Sequence, residues 1–312
     1  MNRRSLLKLM GAAGLTLSNG RLSRLAAQDA KAAAPSPASP PGGVLPDVVW
    51  VEKGEPLPLL DAALNALGGM KRFVSVGDIV VIKPNIGWDR SPEMAATTNP
   101  DLIAALVKEC LKVGAKKVRV FDRTCNNPRR CYASSGIQEK AEAAGAEVFH
   151  IDDSRFKTVA LKDGEVLKEW PIFQDYLDAH KVINVPVAKH HGLSTVSLGI
   201  KNLMGVMGGD RGSIHSPLEK KLIDIAAAIP PALTIIDGYR TLLRNGPQGG
   251  RTSDVKLTRT LVASPCMVAA DYAALPLFGI SADEVEYLRE AVRRGLNRVP
   301  VKNMNLKKIS LS

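Results

Sequence analysis

Asp78-Ile79-Val80-Val81-Ile82-Lys83-Pro84-Asn85 is the stretch on which the reading of this chain turns. Four consecutive branched aliphatic residues leave no polar face, which is the pattern of a strand covered on both sides. Further on, Asn99-Pro100-Asp101 opens a helix: Asn99 suits the N-cap, Pro100 suits the first turn, and Gly114 suits the end. Val118–Phe121 then predicts a strand, Ser135–Ala144 a second helix closed by Gly145, and Ala146–Ile151 a third strand. Strands and helices alternating at this spacing predict a parallel sheet with right-handed crossovers.

The pattern extends both ways. Val48–Val51 predicts a strand and Pro58–Leu67 a helix. Residues 152–170 are polar around Lys162-Asp163-Gly164 and predict a small hairpin. Lys181–Val185, Leu233–Ile236 and Thr258–Ala263 predict strands; Leu218–Ala228, Cys266–Leu275 and Asp283–Arg294 predict helices. Ser216 and Pro217 are placed as cap and first residue of the helix at 218. The expected fold class is α/β, a three-layer sandwich with a mostly parallel sheet, built as a single domain over residues 47–312.

The chain has 312 residues, 45% of them hydrophobic and only 4% aromatic. So few aromatics speak against a stacking platform for single-stranded nucleic acid. The basic residues are spread along the chain rather than gathered in a stripe, so no nucleic-acid partner is expected. The net charge is +11; the first thirty residues carry Arg3, Arg4, Lys8, Arg21 and Arg24 against Asp29, which leaves about +7 without them. That excess favours anionic ligands.

Residues 1–28 are expected to be an export signal. Asn2-Arg3-Arg4-Ser5-Leu6-Leu7-Lys8 resembles the twin-arginine motif, and Met10–Leu17 is apolar but too short to span a bilayer. Residues 29–46, rich in Pro and Ala, are expected to be a linker. The twin-arginine export machinery is thus an expected partner, and the destination is periplasmic or secreted. No other stretch is apolar enough to span a bilayer, so an integral membrane protein is not expected. Of the four cysteines, Cys110 and Cys266 fit buried helical positions, while Cys125 and Cys131 are close enough to bridge, with their redox state open. No cysteine spacing of the iron–sulfur type occurs.

In parallel sheets, ligands gather beyond the carboxyl ends of the strands, so the residues just past each strand are informative. Lys83 and Asn85 end the first, and Asp122 and Arg123 come after the next. The richest run is Lys189-His190-His191-Gly192 with Lys201-Asn202, read as a glycine-rich loop in which neighbouring histidines point different ways. His215 comes later, then Asp237 at a strand end, and the Gly246–Gly250 loop is fit to cover a pocket. No P-loop and no G-x-G-x-x-G occurs at a strand end. For a metal ion, the ligands on offer are His190, His191, His215, Asp122 and Asp237, without a spacing that fixes their geometry.

Five segments carry a family resemblance: Val81–Asn85, Thr98–Leu102, Val185–His191, Gly199–Gly205 and Ile235–Gly238. Together they resemble the prokaryotic family called domain of unknown function 362, over about residues 75–275. The resemblance implies a shared site around Lys83, Asn85, Lys189, His190, Lys201 and Asn202, and no particular reaction. Some relatives carry ferredoxin-like cysteine motifs, which are missing from this chain.

The functional expectation is an enzyme acting on a small anionic substrate. Lys83, Lys189 and Lys201 would hold its oxygens, Asn85 and Asn202 would orient it, and His190 or His191 would transfer a proton. A redox-linked form, an oxidoreductase, would add a metal ion or a partner supplying electrons. The alternative is a non-catalytic periplasmic binding or accessory protein for a cofactor or redox complex. An enzyme would set a histidine in a closed pocket; a binding module would leave the cluster shallow beside an exposed apolar patch.

Overall fold

A computed structural model describes residues 44–312. The proposed signal and residues 29–43 of the proposed linker lie outside the described residues. In chain order, β1 is Val48–Glu52, α1 Pro56–Ala66, β2 Ile79–Pro84, α2 Pro100–Lys112 and β3 Lys117–Val120. Next come α3 Pro128–Ser134, α4 Ile137–Ala143, β4 Glu147–Val148, β5 Phe156–Ala160, β6 Glu169–Phe173 and α5 Gln174–Leu177. They are followed by β7 Lys181–Val185, β8 Val187–His191, β9 Thr195–Ser197, α6 Gly199–Asn202 and α7 Leu218–Ala228. The chain continues through β10 Leu233–Leu242, β11 Val255–Ser264, α8 Met267–Ala274, α9 Glu286–Arg293 and β12 Leu306–Ser310.

The main sheet runs in the order β12-β1-β11-β10-β7-β2-β3-β4, with β8 pairing β10 and β9. All pairings in it are parallel except those of β11 with β1 and β10, and of β9 with β8. The sheet is therefore mostly parallel. Alternation along β2 explains the layers. Val80 and Ile82 enter one core with Leu59, Leu60, Leu102 and Ile103 of α1 and α2. Val81, pointing the other way, enters a second core with Leu222, Val268 and Leu288 of α7, α8 and α9. A strand with two apolar faces needs helices on both, which makes the expected three-layer α/β sandwich.

Several elements differ from the sequence reading. The stretch read as a glycine-rich loop at 186–192 contains strand β8, paired with β9 in His190–Val196 and His191–Thr195 register. The helix predicted at 135–144 is α4, and an unpredicted helix, α3, precedes it, the two separated at Gly136, which takes φ +67°. Pro217, at ψ 118°, sits outside α7 as its N-cap rather than inside it, and no side chain caps that helix. β10 runs past Asp237 and Gly238 to Leu242, across an irregularity between Gly238 and Arg240. β12, unpredicted, lies parallel beside β1 at the sheet edge. The hairpin expected in 152–170 is present as β5 and β6. The cap at Asn99 is present too, its side chain accepting from the Asp101 amide at 2.9 Å. All four cysteines are free, so Cys125 and Cys131 are not bridged; Cys125 is exposed and the others are buried.

Candidate functional site

β2, β3 and the β8–β9 hairpin bring their ends to one side of the sheet, where α6 comes directly after β9. Lys83, near the end of β2, is fully buried and reaches Asn202 of α6. Its Nζ donates to Asp122 Oδ1 at 2.7 Å, to Pro84 O at 2.6 Å and to Asn202 Oδ1 at 3.1 Å. Burial pulls its pKa below lysine's ordinary range, and the Asp122 carboxylate opposes that shift. Asp122 Oδ2 accepts from the Ile86 amide at 2.6 Å. All three protons of this ammonium have oxygen partners, so Lys83 is a structural cation rather than a hand reaching for a ligand.

Asn85 and Asn202 tie that pair to the next lysine. Asn85 Nδ2 donates to Asn202 Oδ1 at 3.0 Å, and Asn202 Nδ2 donates to Asn184 Oδ1 at 2.9 Å. Lys189 Nζ donates to Asn85 Oδ1 at 3.0 Å and to Ala96 O at 2.6 Å. An ammonium has three donors, so one remains for a ligand. Gly205 allows the crowding: a Cβ there would lie 1.7 Å from Asp122 Oδ1 and 2.5 Å from Lys83 Nζ.

Beside this network is a cavity of about 410 Å³, lined by Asn85, Asp122, Lys189, His191, Lys201 and Asn202 among others. Such a volume suits a small organic ligand. Lys201, on α6, is 8% exposed, and among the described residues its Nζ has no oxygen acceptor; its polar neighbour is the thioether of Met204. Burial, with Arg211 acting in the same sense, lowers its pKa to about 8. Burial likewise lowers that of Lys189 to about 7.

The two histidines part company, as neighbours on a strand must. His191 is buried and lines the cavity; burial first, and then Lys201 and Lys189, lower its pKa to about 3. Its Nδ1 accepts from the Leu193 amide at 3.1 Å, which leaves the proton of the neutral ring on Nε2. His190 Nδ1 instead accepts from the Gly246 amide at 3.1 Å, and the cavity lining does not include His190. His190 therefore fastens the 246–250 loop, of which Gly246 and Pro247 line the cavity. A side chain at Gly246 would place Cβ 1.9 Å from His190 O.

The candidate metal ligands do not form one set. Asp237 accepts from the Asn99 and Tyr239 amides at 2.7 and 3.1 Å, away from the cavity lining. His190 is engaged by Gly246 and Asp122 by Lys83; His215 lines the cavity with its Nδ1 3.1 Å from Gly212 O. Among the described residues, no three His, Cys, Asp or Glu side chains gather where they could hold a metal ion.

Sequence reasoning did not place Arg123 and Arg211 in the site, yet both line the cavity. Arg211 spans the gap after β3, donating to Arg123 O at 3.0 Å and Thr124 O at 2.9 Å. Arg123 donates to Met207 O at 3.0 Å and pairs with Asp153 at 3.3 Å. The signal was available in part, since Arg123 directly follows Asp122 at a strand end. Arg211 gave none, because its loop's path depends on tertiary packing. Trp88, Leu193, Met204 and exposed Cys125 complete the wall. Among the described residues the cavity thus carries cationic side chains and a single lining carboxylate, which is already paired. Its chemistry is that of a receptor for an anion.

A family model described as a domain of unknown function, DUF362, matches residues 80–276. A thylakoid-associated protein of Synechocystis sp. is 28% identical over 254 residues, covering 79% of this chain and 77% of the relative. Among solved structures, the lactate racemase apoprotein of Thermoanaerobacterium thermosaccharolyticum aligns at TM-score 0.38 and 13% identity, covering 60% of this chain and 50% of that one. A Thermotoga maritima protein aligns at TM-score 0.37 and 10% identity, covering 67% of this chain and 56% of that one. The chain spans about half the length of these two structures. No helix among the described residues is long and apolar enough to cross a membrane.

Proposed function

The chain belongs to the DUF362 family, and we propose that it is an exported enzyme acting on a small anionic molecule held in the cavity of that family segment. One observation carries the reading: Lys189 and Lys201, 1% and 8% exposed, both open onto one cavity, and neither has a carboxylate partner among the described residues. Buried cations without counter-charges are costly, and a bound anion removes the cost. Arg123 and Arg211 add further positive charge to the same wall.

The groups divide the work by their protonation. Below about pH 8 the Lys201 ammonium helps to hold the anion; above it, the free amine can accept a proton. The neutral His191 ring offers Nε2–H to a substrate oxygen, as an electrophilic donor rather than a base. Depth favours an enzyme over a binding module. His191 and Lys201 are each at least nine-tenths buried while lining the cavity, instead of forming a shallow polar patch.

Calorimetric titration of the purified protein with inorganic phosphate and with pyruvate at pH 7 tests the reading. At least one should bind at one per chain, and Lys201→Met should weaken it tenfold or more. Affinity should also fall as pH rises through about 7 to 8, where Lys189 and Lys201 release their protons. Heats indistinguishable from dilution for both anions, or affinity unchanged by Lys201→Met, would remove this cavity as the anion site.

A further inference from the structure

Three lysines reach this part of the fold, and their Nζ surroundings differ. Lys83 donates to three oxygens and Lys189 to two, contacts that tie both Nζ atoms to the protein. Among the described residues Lys201 meets only the Met204 thioether, a weak acceptor, and it lies on α6 against the cavity. Were the role of Lys201 only to supply charge, an arginine would serve better, since it stays protonated, and Arg123 and Arg211 already line the same wall. A buried amine without an oxygen partner, close to other cations, is instead in the condition that makes lysine a nucleophile toward carbonyl carbon.

Resting on the anion reading above, we infer that the substrate class is a 2-oxo acid, with its carboxylate facing the cationic wall and its carbonyl facing Lys201, which forms an imine with it. The step balances without an oxidant or reductant. The neutral Nζ attacks the carbonyl carbon, forming the N–C bond while the C=O π bond breaks. The carbonyl oxygen takes a proton, and His191 Nε2–H is a donor on the cavity wall that can polarise it. Loss of water, carrying off both amine protons, leaves the C=N bond. The pKa of about 8 supplies a useful fraction of free amine near neutral pH. The cavity's 410 Å³ leaves room for a side chain beyond the reacting atoms.

The test is borohydride trapping of the full purified protein with pyruvate, read by intact mass and peptide mapping, with pyruvate and phosphate affinities measured in parallel. Expected is one reduced pyruvyl group per chain on Lys201, with trapping that increases as pH rises toward 8. Lys201→Arg should lose the adduct entirely. Pyruvate binding without an adduct on Lys201, an adduct on Lys189 instead, or phosphate binding without pyruvate binding would each overturn the imine while sparing the anion site. Binding of neither anion would overturn both readings.

Discussion

Because the Lys83 ammonium donates to Asp122, Pro84 and Asn202, replacing it with methionine leaves the buried Asp122 carboxylate without its counter-charge, whereas the same replacement at Lys201 strands nothing but a thioether. Breaking a buried ion pair from one side costs about 3–5 kcal/mol. Removing a buried amine that lacks a partner, by a side chain of similar volume, should change stability by less than about 1.5 kcal/mol. Urea unfolding at pH 7 should therefore separate Lys83→Met, strongly destabilised, from Lys201→Met, nearly unaffected. An equal loss in both would make Lys201 a structural lysine. The pH profile carries the same distinction. The unfolded chain keeps the Lys201 proton to about lysine's ordinary 10.5 and the folded chain only to about 8, so stability rises with pH across that window. In Lys201→Met this contribution to the rise is gone. The sequence made the two lysines equivalent, since each stands near a strand end or short helix beside an asparagine. What separates them is Asp122, 39 positions from Lys83, and no local pattern announces that pairing.

Helix α6 is a single turn, too short to hold itself, and it carries both Lys201 and Asn202. Its anchor is Asp271 of α8, fully buried, whose oxygens accept from the Gly199 and Ile200 amides at 2.6 and 2.9 Å. Burial raises the Asp271 pKa from 3.8 to about 7, against the pull of those amides. The folded state thus holds the proton over a range where the unfolded chain has lost it, so this group's contribution makes stability fall as pH rises from about 4 to 7. Asp237, raised to about 6, acts in the same sense, and His191, lowered to about 3, acts oppositely. Subtracting the stability profile of Asp271→Asn from that of the wild type should isolate a term declining from about pH 4 to 7, measured by urea unfolding at several pH values. A flat difference would show that Asp271 does not titrate there. Elements of this kind mark the limit of pattern reading. β2 and α2 were legible because an unbroken aliphatic run and an Asn-Pro cap are local signals. β8 was not: Lys189, His190 and His191 show no alternation of apolar and polar residues, and its extended form depends on pairing with β10 and β9.

At the scale of the whole molecule, residues from Asn85 to Pro247 share one cavity because β2, β7, β8 and β10 run the same way and end on the same side. Parallel direction followed from the alternation of strands and helices, so the convergence of Lys83, Asn85, Lys189, Lys201 and Asn202 could be anticipated. The strand order could not, since β11 inserts between β1 and β10 and β12 returns to the edge beside β1. Those pairings join segments up to some 260 residues apart. Export of the folded chain by the twin-arginine route is proposed from Arg3 and Arg4. A pair of conservative substitutions distinguishes motif from charge. Arg3→Lys with Arg4→Lys keeps the N-terminal charge, so a segment acting only as an ordinary basic N-terminus would be unaffected, whereas a recognised arginine pair would be lost. Expressed in a bacterium with a twin-arginine system, the wild-type chain should reach the periplasmic fraction in a shortened form. The double variant should remain full-length in the cytoplasm, folded and still able to bind the anion. Equal export of both would leave the N-terminus with charge as its only signal and would withdraw the twin-arginine assignment.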